Sequence, residues 1–369
     1  MKILTMVGTR PEIIRLSQTI KLLDQHFEHR FVHSGQNLSS NMRDVFFDDL
    51  DLRQPDAQWG IDGSSLANII GSTMVSLEKE LKMFQPDALV TLGDTNTALA
   101  GLIAKRFGVI TYHLEAGNRS FDENVPEEIN RKVIDHFSDF NLAYSQNAIQ
   151  NLLNEGLHPR RMMMCGSPMR QVLNQIGSKI EKSPALIQVG LEKESYFLVS
   201  AHRQENVDSP VRLQKLFDSL VSVGQHFDRQ IVISLHPRTK SILQKTGIQT
   251  PKEFIVHEPF GFVDYISLQK NAFCVLSDSG TISEEASILR FPAVTIRDSM
   301  ERPEAIDAGA MIMCGLGEGD ILRAVKLARD TYGRNICPSA YKVEDHAERV
   351  VKFIVSTANR AHEWFSIRK

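Results

Sequence analysis

The sequence lacks several features that would place it in a specialised class. No run of eighteen apolar residues occurs among its 369 residues, so no segment predicts a membrane span. The net charge is only −3, with 42 Lys and Arg against 45 Asp and Glu. This balance gives no electrostatic reason to expect a nucleic acid or an anionic membrane as partner. We therefore expect a soluble, cytoplasmic protein that binds a small ligand.

Cysteine is scarce and scattered. Cys165, Cys274, Cys314 and Cys337 show no Cys-x-x-Cys spacing, so buried thiols in a reducing compartment are the expected account. Neither a metal site nor a disulfide is predicted. The Gly-x-Gly-x-x-Gly fingerprint of dinucleotide binding is also absent, so no nicotinamide cofactor is expected.

What is present is an alternation of short apolar runs with amphipathic segments. Predicted strands such as Lys2–Val7, Ala88–Leu92 and Val109–His113 alternate with predicted helices such as Ser65–Phe84 and Asn96–Phe107. Strands that alternate with helices of this length imply a parallel sheet covered on both faces. The first half of the chain is therefore predicted to be an α/β domain.

The same alternation starts again in the second half of the chain. It begins with the predicted strand Tyr196–Ser200, after a stretch where Ser-Pro pairs and mixed polarity interrupt the periodicity. We predict two α/β domains, residues 1–168 and 169–351, followed by a helix within Glu344–Phe365. Two such domains in tandem leave a cleft between them, which is a usual place for a ligand.

The loop from His113 to Arg131 holds an unusual number of carboxyl groups. Glu115, Asp122, Glu123, Glu127 and Glu128 all lie between an apolar strand and a helix that starts near Pro126. Because open α/β sheets place their chemistry in loops that follow strands, this loop is a candidate for proton transfer.

A second polar turn, Ser277–Glu285, follows an apolar strand and opens a helix. Ser279, Gly280 and Thr281 would present N–H groups and hydroxyls to an anion, and Glu285 could bind the two hydroxyls of a ribose. The alternative is an ordinary helix cap, with Asp278 or Ser279 as the capping residue.

Four further turns follow the same pattern. Arg10 after Gly8 could bind phosphate, or could be a solvated arginine, and the nearby Arg15 favours the functional interpretation. Asp94 could face a cleft. Alternatively, Asp94 or Thr95 could cap the helix that follows. His202 could bind phosphate or shuttle a proton, although a lone histidine is more often structural. Arg302 could simply pair with Glu301 or Glu304 to brace its loop.

Together these residues resemble the non-hydrolysing UDP-N-acetylglucosamine 2-epimerase family over nearly the whole chain. The motifs that carry the resemblance are Gly8-Thr-Arg-Pro-Glu12, Gly93-Asp-Thr95, His113-Leu-Glu-Ala-Gly117, Pro126-Glu-Glu-Ile-Asn-Arg131, His202-Arg203, Ser277-Asp-Ser-Gly280, Glu284-Glu285 and Glu301-Arg-Pro-Glu304. The resemblance implies a glycosyltransferase-B-type architecture of two Rossmann-like domains with an interdomain cleft. It also implies a C-terminal helix, at about 352–369, that packs back on the first domain, and a homodimer.

Some features resemble one branch of the family, the UDP-2-acetamido-2,6-dideoxy-L-talose 2-epimerases. The segment Asn118–Val125 is shorter than in the glucosamine enzymes, Arg15 replaces a common lysine, and Thr281 replaces a common glycine. Gln36-Asn37 stands where the glucosamine enzymes carry a glutamine-histidine pair that binds an activating UDP-sugar. His202–Asp208, His236–Arg238 and Phe260–Phe262 add to this likeness, which implies synthesis of UDP-N-acetyl-L-fucosamine for capsule and O-antigen.

The resemblance also implies roles for individual residues. The implied catalytic residues are Asp94, Glu115, Glu127 and His202, and the order in which the carboxyl groups act is left open. The implied substrate-binding residues are Arg10, Arg15, Glu128, Arg131, His202, Arg203, Phe262, Ser279, Gly280, Thr281, Glu285 and Arg302.

Other functions are compatible with the same fold. The nearest alternative is UDP-N-acetylglucosamine 2-epimerisation, and a hydrolysing epimerase is a second. A glycosyltransferase would need an acceptor groove, and a nucleotide-sugar-binding regulator would show no turnover. Fold alone does not separate these functions. The set of carboxyl groups favours epimerisation.

Overall fold

The computed structural model describes residues 1–35, 40–235, 237–334 and 336–367. The predictions made for Gln36-Asn37 and for His236 lie outside the described residues, as do the last two residues of the predicted C-terminal helix. The chain forms two compact units: Met1–Gln175 with Lys342–Lys369, and Ile176–Tyr341. Within the described ranges, no helix has the length and hydropathy needed to cross a membrane.

The first unit contains a seven-stranded sheet in the order β3-β2-β1-β4-β5-β6-β7, and every pairing is parallel. Its strands are β1 (Lys2–Val7), β2 (Glu28–His33), β3 (Ala57–Gln58), β4 (Ala88–Leu92), β5 (Ile110–Leu114), β6 (Phe140–Ala143) and β7 (Met162–Met164). The chain order reverses between β1 and β4. Loops that follow these two neighbouring strands therefore lie at a topological switch point, where ligands of open α/β sheets bind.

The second unit repeats this design with a six-stranded sheet in the order β10-β9-β8-β11-β12-β13, again parallel throughout. Its strands are β8 (Tyr196–Ser200), β9 (Gln230–Ser234), β10 (Phe254–His257), β11 (Cys274–Ser277), β12 (Ala293–Thr295) and β13 (Ile312–Met313). Here the switch point lies between β8 and β11. The predicted class of two parallel-sheet α/β domains is confirmed.

Helices connect and cover both sheets, and two short 3₁₀ helices occur at Pro159–Arg161 and Ser339–Tyr341. In chain order the α-helices are α1 (Arg10–His26), α2 (Ser40–Asp49), α3 (Leu66–Phe84), α4 (Asn96–Leu99), α5 (Gly101–Arg106), α6 (Pro126–Phe137), α7 (Gln146–Asn154), α8 (Met169–Gln175), α9 (Gly177–Glu181), α10 (Ala185–Val189), α11 (Gln204–Val207), α12 (Pro210–Phe227), α13 (Pro237–Thr246), α14 (Phe262–Asn271), α15 (Ile282–Leu289), α16 (Glu304–Asp307), α17 (Glu318–Asp330) and α18 (His346–Trp364).

Burial explains why these segments became strands. Every residue of β4, β5, β6 and β11 is buried, as expected for central strands of a parallel sheet covered on both faces. The helix predicted over Asn96–Phe107 is wrong in one respect, because the structure divides it into α4 and α5. At the division the amide of Ala100 donates to the carbonyl of Thr97 at 3.1 Å, a tighter three-residue turn.

The last helix, α18, belongs to the first unit. It packs against α1 and β5, and the Tyr112 hydroxyl lies 2.7 Å from Oγ1 of Thr357. Phe353 meets the rings of Tyr112 and Phe140 edge-on. These contacts fasten α18 to the sheet behind the carboxyl-rich loop.

Candidate active site

At the switch point of the first unit, a buried carboxyl group ties the loop after β1 to the loop after β4. Glu12 accepts hydrogen bonds from the amides of Gly8 and Thr9 at 3.0 and 2.7 Å, and from the Thr9 hydroxyl at 2.8 Å. The hydroxyl of Thr95 donates to its other oxygen at 3.0 Å. Burial raises the pKa of Glu12 to about 7, although these hydrogen bonds act in the opposite direction. Glu12 thus positions both loops.

Asp94 lies two residues after the end of β4 and is fixed by a chain of polar contacts. Nη2 of Arg131 lies 2.6 Å from its carboxylate, and Nη1 of the same arginine lies 3.1 Å from buried Glu128. Glu128 in turn accepts from the amide and hydroxyl of Ser120 at 2.8 and 3.0 Å. Arg131 therefore links Glu128 to Asp94. The base of the short Asn118–Val125 segment is thereby connected to Asp94.

Glu115 follows β5 and has a strained backbone with φ of +66°, which L-residues with side chains rarely adopt. Nε of Arg15 lies 3.3 Å from its carboxylate, and both side chains are buried. The Arg15 guanidinium also lies 5.8 Å from the centre of the Tyr144 ring. Arg15, predicted to bind substrate, therefore also holds Glu115 in place.

A fully buried carboxylate, Asp135, supports the backbone around Glu115. It lies 2.8 Å from Nδ1 of His113 and 2.8 Å from Nη2 of Arg119, and it accepts from the amide of Gly117 at 3.1 Å. Nε2 of His113 lies 2.8 Å from the carbonyl of Gly93, just before Asp94. Burial alone would raise the pKa of Asp135, but His113 and Arg119 outweigh it and hold this pKa below its usual range.

Two predicted residues have no such support. Across the described residues, neither Arg10 nor Glu127 takes part in an ion pair or a side-chain hydrogen bond. The Arg10 guanidinium lies 5.6 Å from the centre of the Phe46 ring, and burial lowers its pKa. Glu127 is partly buried in the first turn of α6. Both groups are available to a ligand.

In the second unit, Asp278 follows β11 and holds the loop after β8 by hydrogen bonds. It is fully buried and accepts from the amide of His202 at 3.0 Å, from the amide of Arg203 at 2.9 Å and from Nδ2 of Asn206 at 3.1 Å. Nδ1 of His202 lies 3.3 Å from the same carboxylate. The predicted capping role of Asp278 is wrong, because α15 begins after Thr281 without a side-chain cap.

Arginines surround Gly280 in the next turn. Nη1 of Arg302 donates to the Gly280 carbonyl at 2.6 Å and lies 3.7 Å from Glu284, while Nη2 of Arg203 lies 3.1 Å from Glu301. A Cβ at Gly280 would lie 2.7 Å from Oε1 of Glu301 and 3.0 Å from Nη1 of Arg302. A side chain here would require the ends of the Glu301 and Arg302 side chains to shift.

The remaining predicted residues lie along α15 and α14. Ser279 is not the helix cap: its amide donates to the Ser277 hydroxyl at 3.0 Å, and its own hydroxyl lies 3.1 Å from that of Thr281. Glu285 is buried and accepts from Nε2 of Gln269 at 2.8 Å. Phe262 begins α14 and is also buried.

Three positioning groups were missed when only the sequence was considered. Glu12 had a readable signal, because it stands three residues after Thr9, the spacing of a capping box. Asp135 gave no signal, since it looks like any polar residue in the last turn of a helix. Asp278 was noticed but interpreted as a helix cap.

The two switch points therefore offer different chemistry. The first places the carboxyl groups of Asp94 and Glu115 after neighbouring strands, with Glu127 in the helix that follows. The second places an imidazole, hydroxyls and a helix N-terminus, which suit an anion. Such a pair of sites belongs to α/β enzymes that act on anionic small molecules.

Comparison with known proteins agrees with this class. The family model described as UDP-N-acetylglucosamine 2-epimerase matches residues 21–355. The UDP-N-acetylglucosamine 2-epimerase of Methanocaldococcus jannaschii is 37% identical over 89% of this chain and 92% of its own length. The UDP-2,3-diacetamido-2,3-dideoxy-D-glucuronate 2-epimerase of Pseudomonas aeruginosa is 34% identical over 91% of this chain and 94% of its own.

A solved structure extends the similarity to the fold. The crystal structure of the M. jannaschii UDP-GlcNAc 2-epimerase, in complex with UDP-GlcNAc and UDP, has a TM-score of 0.91 and 34% identity. It covers 97% of this chain and 100% of that one. The fold is thus of the glycosyltransferase-B type. This chain belongs to the UDP-N-acetylglucosamine 2-epimerase family, and it is an isomerase of the UDP-sugar 2-epimerase class.

Proposed function

We propose that this enzyme inverts C2 of a UDP-2-acetamido sugar by losing and re-adding UDP. No carbonyl acidifies the C2–H bond, so direct proton exchange is difficult. A base can instead take the C2 proton while the C1–O bond breaks and its electron pair leaves with UDP, which gives a 2-acetamidoglycal. Return of UDP to C1, with a proton delivered to the opposite face of C2, gives the epimer.

The observation that best supports this proposal is the set of carboxyl groups after β4 and β5. Epimerisation by this route needs a proton acceptor on one face and a donor on the other. We assign these tasks to Asp94, Glu115 and Glu127. Asp94 and Glu115 are each held by a buried arginine, Arg131 and Arg15 respectively, and a fixed position is what proton transfer requires.

We assign the departing diphosphate mainly to the second unit. In this proposal His202, the turn at Ser279 and Gly280, and the N-terminus of α15 stabilise the charge that develops on the leaving oxygens. Arg10 adds a cation that no carboxylate neutralises within the described residues. The wider substrate-binding set comprises Arg15, Glu128, Arg131, Arg203, Phe262, Thr281, Glu285 and Arg302, with Glu285 proposed to bind the ribose hydroxyls. The reaction changes no oxidation state overall, so the proposal includes no redox cofactor.

For the sugar, we propose UDP-2-acetamido-2,6-dideoxy-L-talose, which would give UDP-N-acetyl-L-fucosamine for capsule or O-antigen. The support is the sequence of the Asn118–Val125 segment, Arg15 and Thr281. The second candidate is UDP-N-acetylglucosamine, which the names of several relatives favour. A relative of comparable identity is named for a different sugar. Identity at this level therefore does not decide between the two.

A direct assay separates these candidates. The purified protein is incubated with each UDP-sugar, and the sugar protons are followed by NMR. We expect equilibration of the L-talose and L-fucosamine configurations, and efficient formation of UDP-N-acetylmannosamine would favour the second candidate. Release of UDP with a free sugar would instead indicate a hydrolysing enzyme.

An isotope experiment tests the route itself. In D₂O, elimination and re-addition should place deuterium at C2 of the product, since the proton that returns comes from a group in exchange with solvent. An unlabelled product would exclude this route.

We further propose a cytoplasmic homodimer. The thiols of Cys165, Cys274 and Cys314, which form no disulfide, support a reducing compartment.

A further inference from the structure

A buried carboxylate lies directly behind the imidazole of His202. Asp278 accepts from two consecutive backbone amides, those of His202 and Arg203, and from the side chain of Asn206. The imidazole contributes a fourth contact, because its Nδ1 lies 3.3 Å from Oδ1 of Asp278. The carboxylate is fully buried, while the His202 side chain is 34% exposed. The ring therefore lies at the edge of the unit, and the buried carboxylate of Asp278 lies behind it.

The chemistry of these contacts determines where the ring carries its hydrogen. A carboxylate only accepts hydrogen bonds, and the two amides and the Asn206 side chain that face Asp278 all donate. The imidazole is consistent with them only if its Nδ1 carries a hydrogen. Nε2 is then the ring atom turned away from Asp278, and it can accept a proton or, in the cation, donate one.

Asp278 is itself held too firmly to follow the ring. Its amide donates to the carbonyl of Ser200 at 3.1 Å, at the end of the paired strands β8 and β11. Nδ2 of Asn206 bonds both Asp278 and the carbonyl of Ile296, at 3.1 and 3.2 Å. Since the backbone of Asp278 and the Asn206 side chain that bonds its carboxylate are both fixed, the orientation of the ring is set by Asp278 and not the reverse.

We propose that Asp278 is a positioning residue that holds His202 in one orientation and in the Nδ1–H form, so that Nε2 faces the ligand. The consequence for turnover rests on the proposed function, in which His202 contacts the diphosphate. Loss of the orienting aspartate in a serine protease lowers kcat by roughly 10⁴. We expect about 10² here, because His202 would share the leaving-group charge with other donors.

The first test needs no variant of Asp278. The full-length protein is labelled with ¹⁵N-histidine, and the signals of His202 are identified by their loss in His202→Gln. Long-range ¹H–¹⁵N spectra distinguish the ring nitrogen that carries hydrogen. We expect Nδ1–H in the wild type. A neutral ring with its hydrogen on Nε2 would overturn the proposal, whatever the variants do.

The second test compares Asp278→Asn with a matched control, Asn206→Ala. The control removes a side chain from the same carboxylate but leaves the contact with the ring. We expect Asp278→Asn to change the His202 spectrum and to lower kcat more than it raises KM. We expect Asn206→Ala to change neither by more than a few-fold. An unchanged His202 spectrum in Asp278→Asn, or an equal loss of kcat in the control, would overturn the proposal.

The failure of the proposed function would look different. In that case Asp278→Asn would still change the His202 spectrum, but neither it nor His202→Gln would alter turnover. Such a result would support the positioning of the ring by Asp278. It would contradict only the proposed part of His202 in the reaction.

Discussion

The two units share one backbone design and differ in the chemistry that it presents. Each has a parallel sheet whose strand order reverses once, and each has a buried aspartate: Asp135 behind the loop after β5, and Asp278 behind the loop after β8. The first unit presents carboxyl groups there, whereas the second presents an imidazole, hydroxyls and backbone N–H groups. The sheet thus determines where the site lies, and the residues in the first turn after each strand determine its chemistry.

The two buried aspartates are compensated in different ways. Asp135 faces the imidazole of His113 and the guanidinium of Arg119, in addition to one backbone amide. Asp278 faces two backbone amides, the amide side chain of Asn206 and one imidazole. Both arrangements offset the large desolvation cost of a buried carboxylate. Of the two, only Asp278 contacts a partly exposed side chain, that of His202. A positioning role therefore follows for Asp278.

The largest effect is expected from the carboxyl groups of the first unit. Asp94→Asn, Glu115→Gln or Glu127→Gln should each lower kcat by about 10² or more, as the loss of an acid or base does. UDP binding, measured by calorimetry, should change little, because the diphosphate is assigned mainly to the second unit.

The matched control for these variants is Glu123→Gln, an exposed carboxyl group of the same loop that lies 3.8 Å from Lys132. It should retain activity. Near-normal turnover in all three of the other variants would contradict the proposed difference between the units, since the first unit would then have no chemical role.

A smaller effect is expected from alanine substitutions at Gly8 and Gly280, the glycines in the turns at the two switch points. A Cβ at Gly8 would lie 2.1 Å from Oγ1 of Thr97 and 2.6 Å from Oγ of Ser34, which are short side chains that cannot move away. Gly8→Ala should therefore lower the free energy of unfolding by roughly 1–3 kcal/mol, as overpacking does. Urea unfolding of the purified variant measures this change.

Gly280→Ala should behave differently, because its nearest neighbours are the ends of the long side chains of Glu301 and Arg302. We expect a smaller loss of stability and weaker UDP binding. Gly177→Ala is the control, since nothing lies within 4 Å of a Cβ at that position. If Gly280→Ala proved as unstable as Gly8→Ala with normal UDP binding, the assignment of binding to this turn would be wrong.

The smallest effect concerns pH and the first unit alone. Burial lowers the pKa of His346 to about 4, and its Nδ1 lies 2.8 Å from the carbonyl of Gly166. As the pH falls, the imidazole of His346 takes up a proton near pH 6.5 in the unfolded chain, but only near pH 4 in the folded chain. The stability that the neutral ring contributes is thus complete above pH 6.5 and is lost as the pH falls toward 4.

Between pH 7.5 and 5.5 this effect should reduce the free energy of unfolding by about 1.4 kcal/mol. His346→Asn keeps a donor for the Gly166 carbonyl and has no titrating group, so its unfolding should lack this part of the pH dependence. Equal pH dependence in wild type and variant would show that His346 is not the responsible group. A loss of stability at low pH that affects the first unit and not the second would also show that the two units differ in stability.

Much of the fold was predictable because its signals are local. The apolar runs of β1, β4, β8 and β11 are visible in the sequence, and their alternation with amphipathic helices predicts parallel sheets. Short elements such as β3, β7 and α2 were missed, since two or three residues carry too little periodicity and a helix in a polar stretch resembles a loop. The catalytic roles of Asp94, Glu115 and Glu127 were implied by the family resemblance, and they stay predictions.

The alternation of strands and helices, and the residue types at the strand ends, can be read from the amino-acid sequence alone. Those properties depend on neighbours within a few residues. Only the tertiary structure decided which of these residues meet. His202 finds its acceptor 76 residues away, and Arg131 reaches Asp94 across 37 residues. Strand order and helix packing create such contacts, and no local pattern encodes them. That is why Asp278 looks like a helix cap in the sequence and is the support of an imidazole in the fold.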